Sequence, residues 1–228
     1  MSTGDSGING MVLSSFFKEQ ENSAGDQQRP VVTVSRGLGC NGGVIGNLLA
    51  NRLGVDCFGY SMFDRIVKET QADSSYMSLV DERCSSVMDN FFLSFITSGK
   101  SSSTDYMQRL VKIIYAIYKS GGVIIGRGAH LILGNKPNIF RLRIEGSPDI
   151  CAKRLAEREH LDIAIAKERI KKVDEERVNF VREVYKYFPR QNRSYYNLSI
   201  NSDNLESADI VDIALFAMKK QGIKVPSV

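Results

Sequence analysis

Cysteine, histidine and long apolar runs are all scarce in this chain. Its 228 residues include four cysteines, Cys40, Cys57, Cys84 and Cys151, and two histidines, His130 and His160. None of the cysteines forms a C-x-x-C pair, which argues against a structural zinc site. No apolar run reaches the roughly 20 residues that a bilayer requires. The stretch "MVLSSFFKEQ" is too short, and too polar at its end, to span one. No segment reads as a secretory signal, so the expectation is a reduced, cytoplasmic protein without a membrane span. A dominant charge is missing too: 30 cations stand against 26 anions, a net charge of +4. That mild balance allows a local basic site for phosphates but does not by itself make a nucleic-acid-binding protein. In "KERIKKVDEER" acids interleave with bases throughout, the pattern of a solvated helix face, so nucleic acid is not expected as a partner.

What is present is ordinary globular material, 43% hydrophobic and 25% charged. The length suits one α/β domain that buries roughly 70% of the extended chain's surface on folding. Residues 1–29 are rich in Gly, Ser, Asn, Asp and Gln and read as a flexible N-terminal arm, with a short helix around Val12–Glu19. A single domain is expected over residues 30–228. Val31–Ser35 is a β-branched run bounded by Pro30 and Gly37, the mark of a buried strand. Gly43–Leu53 is helical, with Ile45, Leu48, Leu49 and Leu53 on one face. "VDCFGY", "GGVIIG", "NIFRLRIEG" and "YNLSIN" read as four further strands. Residues 61–119 read as mostly helical, interrupted by "SGKSSST". Ser147, Pro148 and Asp149 give strong helix-start signals. Residues 161–188 predict one long helix or a broken pair, and residues 205–220 a closing helix. Strands that alternate with helices imply a parallel sheet covered on both faces.

Between the first strand and the first helix lies "SRGLGCNGGVIG". Backbone amides at a helix N-terminus carry partial positive charge, and glycines let that backbone approach phosphate oxygens. Gly37, Gly39, Cys40, Asn41, Gly42, Gly43 and Val44 are therefore candidate phosphate-binding residues. A plain tight turn fits the same letters. The strict pattern G-x-x-x-x-G-K-[ST] is absent; aligned on Gly39, Gly43 and the helix, Gly42 holds the lysine position and Val44 the hydroxyl position. The nearest replacement cation is Arg36. Cys40, close to a helix N-terminus, is either a thiol of lowered pKa or simply a small residue that fits.

Two other arginines stand out. Arg127 follows a buried strand, flanked by Gly126 and Gly128, where ligands of open α/β sheets bind. In the long helix Ile163, Ala166, Ile170, Val173, Phe180 and Val184 form an apolar seam, and the step after Val173 lands on Arg177. A cation in that phase needs an anion: Asp174, Glu176 or a transferred phosphate. Arg154 and Arg158 lie one turn apart and could frame the same site, although a solvated face suits them as well.

Taken together, "SRGLGCNGGVIG", "LVDERCSS", "GGVIIGRGAHLIL", "FRLRIEGSPDICAKRLAERE", "IKKVDEERVNF" and "YNLSIN" resemble the cytidylate-kinase-like family of P-loop nucleoside monophosphate kinases, from about Val31 to Lys220. The resemblance implies a P-loop kinase-like three-layer sandwich around a five-stranded parallel sheet. It also implies a helical monophosphate-binding insert at 61–119 and a small lid at about 155–190. Transfer would run from ATP, with Mg2+, to a CMP-like acceptor. Arg127 matches the arginine that touches the acceptor, Arg177 a lid arginine near the transferred group, Asp174 its neighbour, and Arg154 a further basic position. Arg65, in "YSMFDRIVKE", is the candidate for the acceptor phosphate. The chain departs from true cytidylate kinases in the missing loop lysine and hydroxyl, and in the glycines around Arg127. Its rival reading is a nucleotide-binding regulator that has kept the fold and lost turnover. Oligomeric state cannot be read from these residues.

Overall fold

The computed structural model describes residues 29–63, 66, 102–187 and 196–226. The arm at 1–28, with its expected helix, and most of the insert, Arg65 included, lie outside the described residues. The described residues divide into two compact units. One takes in Tyr60–Ser120, of which the main described element is helix α2 (Ser102–Ser120). Its buried positions Leu110, Val111, Ile113, Ile114 and Ile117 recur at helical spacing. The last three residues of "SGKSSST" belong to this helix rather than to a break before it.

The other unit, Pro30–Gly59 with the chain from Gly121 on, holds the sheet. Its elements are β1 (Val31–Arg36), α1 (Gly42–Leu53), β2 (Cys57–Phe58), β3 (Gly122–Ile125) and α3 (Ala129–Ile132). There follow β4 (Ile139–Glu145), α4 (Pro148–Glu159), α5 (Ile163–Tyr187), β5 (Leu198–Asn201) and α6 (Ser207–Lys220). All pairings are parallel and the five strands run in the order β2-β3-β1-β4-β5. β2 and β3 lie on one side of β1, and β4 and β5 on the other. The winding therefore reverses beside β1, and ligands of such sheets bind outside the carboxyl ends of the strands at that reversal.

The side chains sort by the two-residue period of a strand. Val32, Val34, Val123, Ile125, Phe140, Leu142 and Ile144 face α1 and α6, and pack with Ile45, Leu49, Leu53, Ile210, Val211, Leu215 and Met218. Ser35 points the other way, toward His130 on α3. Of the one long helix or broken pair expected over 161–188, the structure gives one unbroken helix, Ile163–Tyr187. Its seam begins later than the spacing predicts: Ala166 and Val184 are fully buried, whereas Ile163 is about half exposed at 52%. Among the described residues no helix is long and apolar enough to cross a membrane.

Candidate phosphate-binding site

The segment from Gly37 to Asn41 lies where β1 stops and α1 begins. Asn41 is the N-cap of α1, in a left-handed conformation with φ 54, and makes no side-chain cap hydrogen bond. The first amides of a helix have no partner within the helix. Here no side chain of the cap residue supplies one, so the start of α1 presents donors.

The missing lysine has a spatial explanation. A Cβ added at Gly42 would sit 2.6 Å from Cγ and 2.8 Å from Cβ of Arg36. The stem of Arg36 thus fills the space in which a side chain at position 42 would start. Its guanidinium runs on to Gly126, where a Cβ would overlap Nη1. Burial pushes the Arg36 guanidinium down to about 10. The positive charge of Arg177 lowers it next, Asp174 acts in the opposite sense, and Arg127 lowers it slightly further. Three cations from three distant segments therefore feel one another at the end of β1.

The other arginines arrive by local backbone geometry. Gly126, Arg127 and Gly128 have φ of 81, 55 and 65, three left-handed residues in succession. For a non-glycine residue that conformation is strained, and such strain tends to gather at functional sites. It leaves the Arg127 guanidinium 5.6 Å from the centre of the Phe180 ring on α5. Gly128 meets Val184 of α5 so closely that a Cβ would lie 2.9 Å from both of its methyl carbons. The two glycines around Arg127 are thus approached by the Arg36 guanidinium on one side and by Val184 of α5 on the other.

From α5, Asp174 reaches the loop. Its carboxylate accepts the backbone N–H of Leu38 through both oxygens, at 3.0 and 3.2 Å. Arg177 Nη1 donates to Asp174 Oδ1 at 2.8 Å and to the Arg36 carbonyl at 3.4 Å. Of the two acids that spacing offered to Arg177, the ion pair is with Asp174. The carboxylate thus takes up the Leu38 amide of the loop.

The structure thus brings together Arg36, Arg127, Asp174, Arg177 and the loop from Gly37 to Gly43. Arg154 is engaged elsewhere. It donates to the carbonyls of Ser202 and Asp203 at 2.7 and 3.1 Å and to Ser202 Oγ at 3.1 Å, so it clamps the turn after β5. Val44 is 53% exposed, and its side chain brings no donor; only its backbone amide could serve. The contact of Asp174 with Leu38 spans 136 residues of chain, and no spacing rule in the sequence could signal it. The same holds for the buried approach of Cys40 to Cys151. Among the described residues no group of three or more His, Cys, Asp or Glu side chains could hold a metal ion. With Val44 in place of a hydroxyl, the residues present do not fit a protein-held Mg2+.

The profile of the cytidylate kinase-like family matches residues 31–204. A search of the curated proteins finds no match. Among solved structures, the crystal structure of an uncharacterized protein from Eubacterium ventriosum matches with a TM-score of 0.64 at 20% identity. The match covers 84% of this chain and 99% of that one, and at such identity the likeness is one of fold.

Proposed function

The chain belongs to the cytidylate kinase-like family, and from that premise we propose that it is a nucleoside monophosphate kinase, moving the γ-phosphoryl group of ATP to a CMP-like acceptor. The observation that carries this reading is the stem of Arg36, which fills the position-42 space; in this reading its cation takes the part of the absent lysine. The loop amides and Arg36 hold the β- and γ-phosphates. Arg177 neutralises the phosphoryl group in transit, and Arg127 faces the acceptor phosphate. Asp174 leaves the Leu38 amide when the nucleotide's phosphate takes its place.

The bond from the γ-phosphorus to the β-bridging oxygen breaks, and a bond to an oxygen of the acceptor phosphate forms. That acceptor is already an anion, so no general base is needed. Positioning and charge neutralisation supply the catalysis. When bound with ATP, Mg2+ would neutralise phosphate charge. No step here depends on a protein ligand to it.

A second reading, a nucleotide-binding regulator, is favoured by Val44 at the hydroxyl position and by the carboxylate already seated on Leu38. An ADP-coupled assay with CMP, dCMP, UMP and AMP separates the two. The kinase forms ADP only when an acceptor is added, and Arg177→Ala lowers that rate on the order of 10³-fold, the effect of a missing transition-state arginine. ATP binding with no acceptor-stimulated turnover would establish the regulator instead.

A further inference from the structure

The site as described leaves one feature unused, a pair of buried thiols beneath the loop. Cys40 Sγ lies 3.4 Å from Cys151 Sγ, and the two side chains are 2% and 3% exposed. One belongs to the phosphate loop and the other to the first turn of α4, 111 residues away. The backbones meet as well, because a Cβ at Gly39 would collide with the carbonyl of Cys151. Each sulfur rests on a glycine. A Cβ at Gly37 would be 3.1 Å from Cys40 Sγ, and one at Gly146 would be 2.8 Å from Cys151 Sγ. The pair is therefore held face to face and has only to close to the ~2.05 Å of a disulfide bond.

We propose that Cys40 and Cys151 form an oxidisable dithiol, a modification site at which a peroxide closes a disulfide between the phosphate loop and α4. Peroxide is small enough to suit a buried pair. Cys40, in the loop that precedes α1, is assigned the first attack. Burial, and then the hydrogen bond with Cys40, push the Cys151 thiol up, which disfavours it as the first attacker. The Cys40 thiolate attacks one peroxide oxygen, the O–O bond breaks, and Cys40 becomes a sulfenic acid as hydroxide leaves. Cys151 Sγ then attacks Cys40 Sγ and the S–O bond breaks. The departing hydroxide takes the Cys151 proton and leaves as water. Two thiols and one hydrogen peroxide give one disulfide and two waters, with sulfur oxidised and peroxide oxygen reduced.

This inference stands apart from the kinase reading, since its readout is covalent. The full chain is treated with hydrogen peroxide, its remaining thiols are blocked with N-ethylmaleimide, and a non-reducing digest is mapped by mass spectrometry. The expected result is a peptide containing Cys40 linked to one containing Cys151, released by dithiothreitol. Cys40→Ser and Cys151→Ser should each abolish it. Should a serine variant fail to fold, the map of the unaltered chain decides alone. Recovery of both cysteines as alkylated thiols, of Cys40 as a sulfinic acid with no linked partner, or of bonds only to Cys57 or Cys84, would overturn the proposal.

Discussion

At the scale of single residues, the loop is shaped by what cannot be there. Gly39 combines a left-handed φ of 87 with a backbone wall, the Cys151 carbonyl. Gly126 is also left-handed, but its obstacle is the far end of the Arg36 side chain, which can swing away. The two therefore differ in kind. Gly39→Ala is predicted to destabilise the fold by about 2–3 kcal/mol, from left-handed strain together with a backbone displacement. Gly126→Ala should cost about 1 kcal/mol, and its main effect should be a displaced Arg36. Urea unfolding midpoints of the two variants check the ranking. Equal costs would mean that Gly39 does not rest on α4. Arg36 is partly buried, and its folded pKa lies below the ordinary value. Holding it charged thus opposes folding everywhere below about pH 10, and an arriving phosphate would relieve that opposition.

At the scale of elements, α5 latches onto the loop between β1 and α1. Ala166 and Val184 anchor it, and between those anchors Asp174 reaches the Leu38 amide. A charge-assisted hydrogen bond of this kind contributes about 1.5–3 kcal/mol. Asp174→Ala is predicted to tighten ATP binding by roughly tenfold, about 1.4 kcal/mol, because the competing carboxylate is gone. It should also speed amide exchange at Leu38 in the free protein. Calorimetry and hydrogen exchange measure the two effects, and weaker ATP binding by Asp174→Ala would mean that the carboxylate assists the nucleotide.

Much at this scale was legible in the sequence. Val31–Arg36, Gly42–Leu53 and Pro148–Glu159 fall within a residue of their expected bounds, because β-branched runs, glycine punctuation and Pro148 act locally. "VDCFGY" shrank to Cys57–Phe58, an edge strand that pairs with β3 alone. Arg36, Arg127, Asp174 and Arg177 could be named from phase and from position at strand ends. The seat of Asp174 on Leu38, the clamp made by Arg154 and the thiol pair could not, for each joins segments at least 48 residues apart through the folded sheet.

At the scale of the whole molecule, the parallel sheet brings the ends of β1 and β3 and the side of α5 to one place. Arg36, Arg127 and Arg177 gather there, and Asp174 pairs with Arg177 beside them. Such a concentration of positive charge is costly to hold without an anion and favourable once one enters. The claim on which the account turns is that the Arg36 cation does the work of the absent loop lysine. Isothermal calorimetry of ATP binding to the unaltered protein and to Arg36→Gln tests it most directly. The account predicts a micromolar dissociation constant for the first and at least a tenfold weaker one, about 1.4 kcal/mol, for the second. Equal affinities in the two proteins would contradict it.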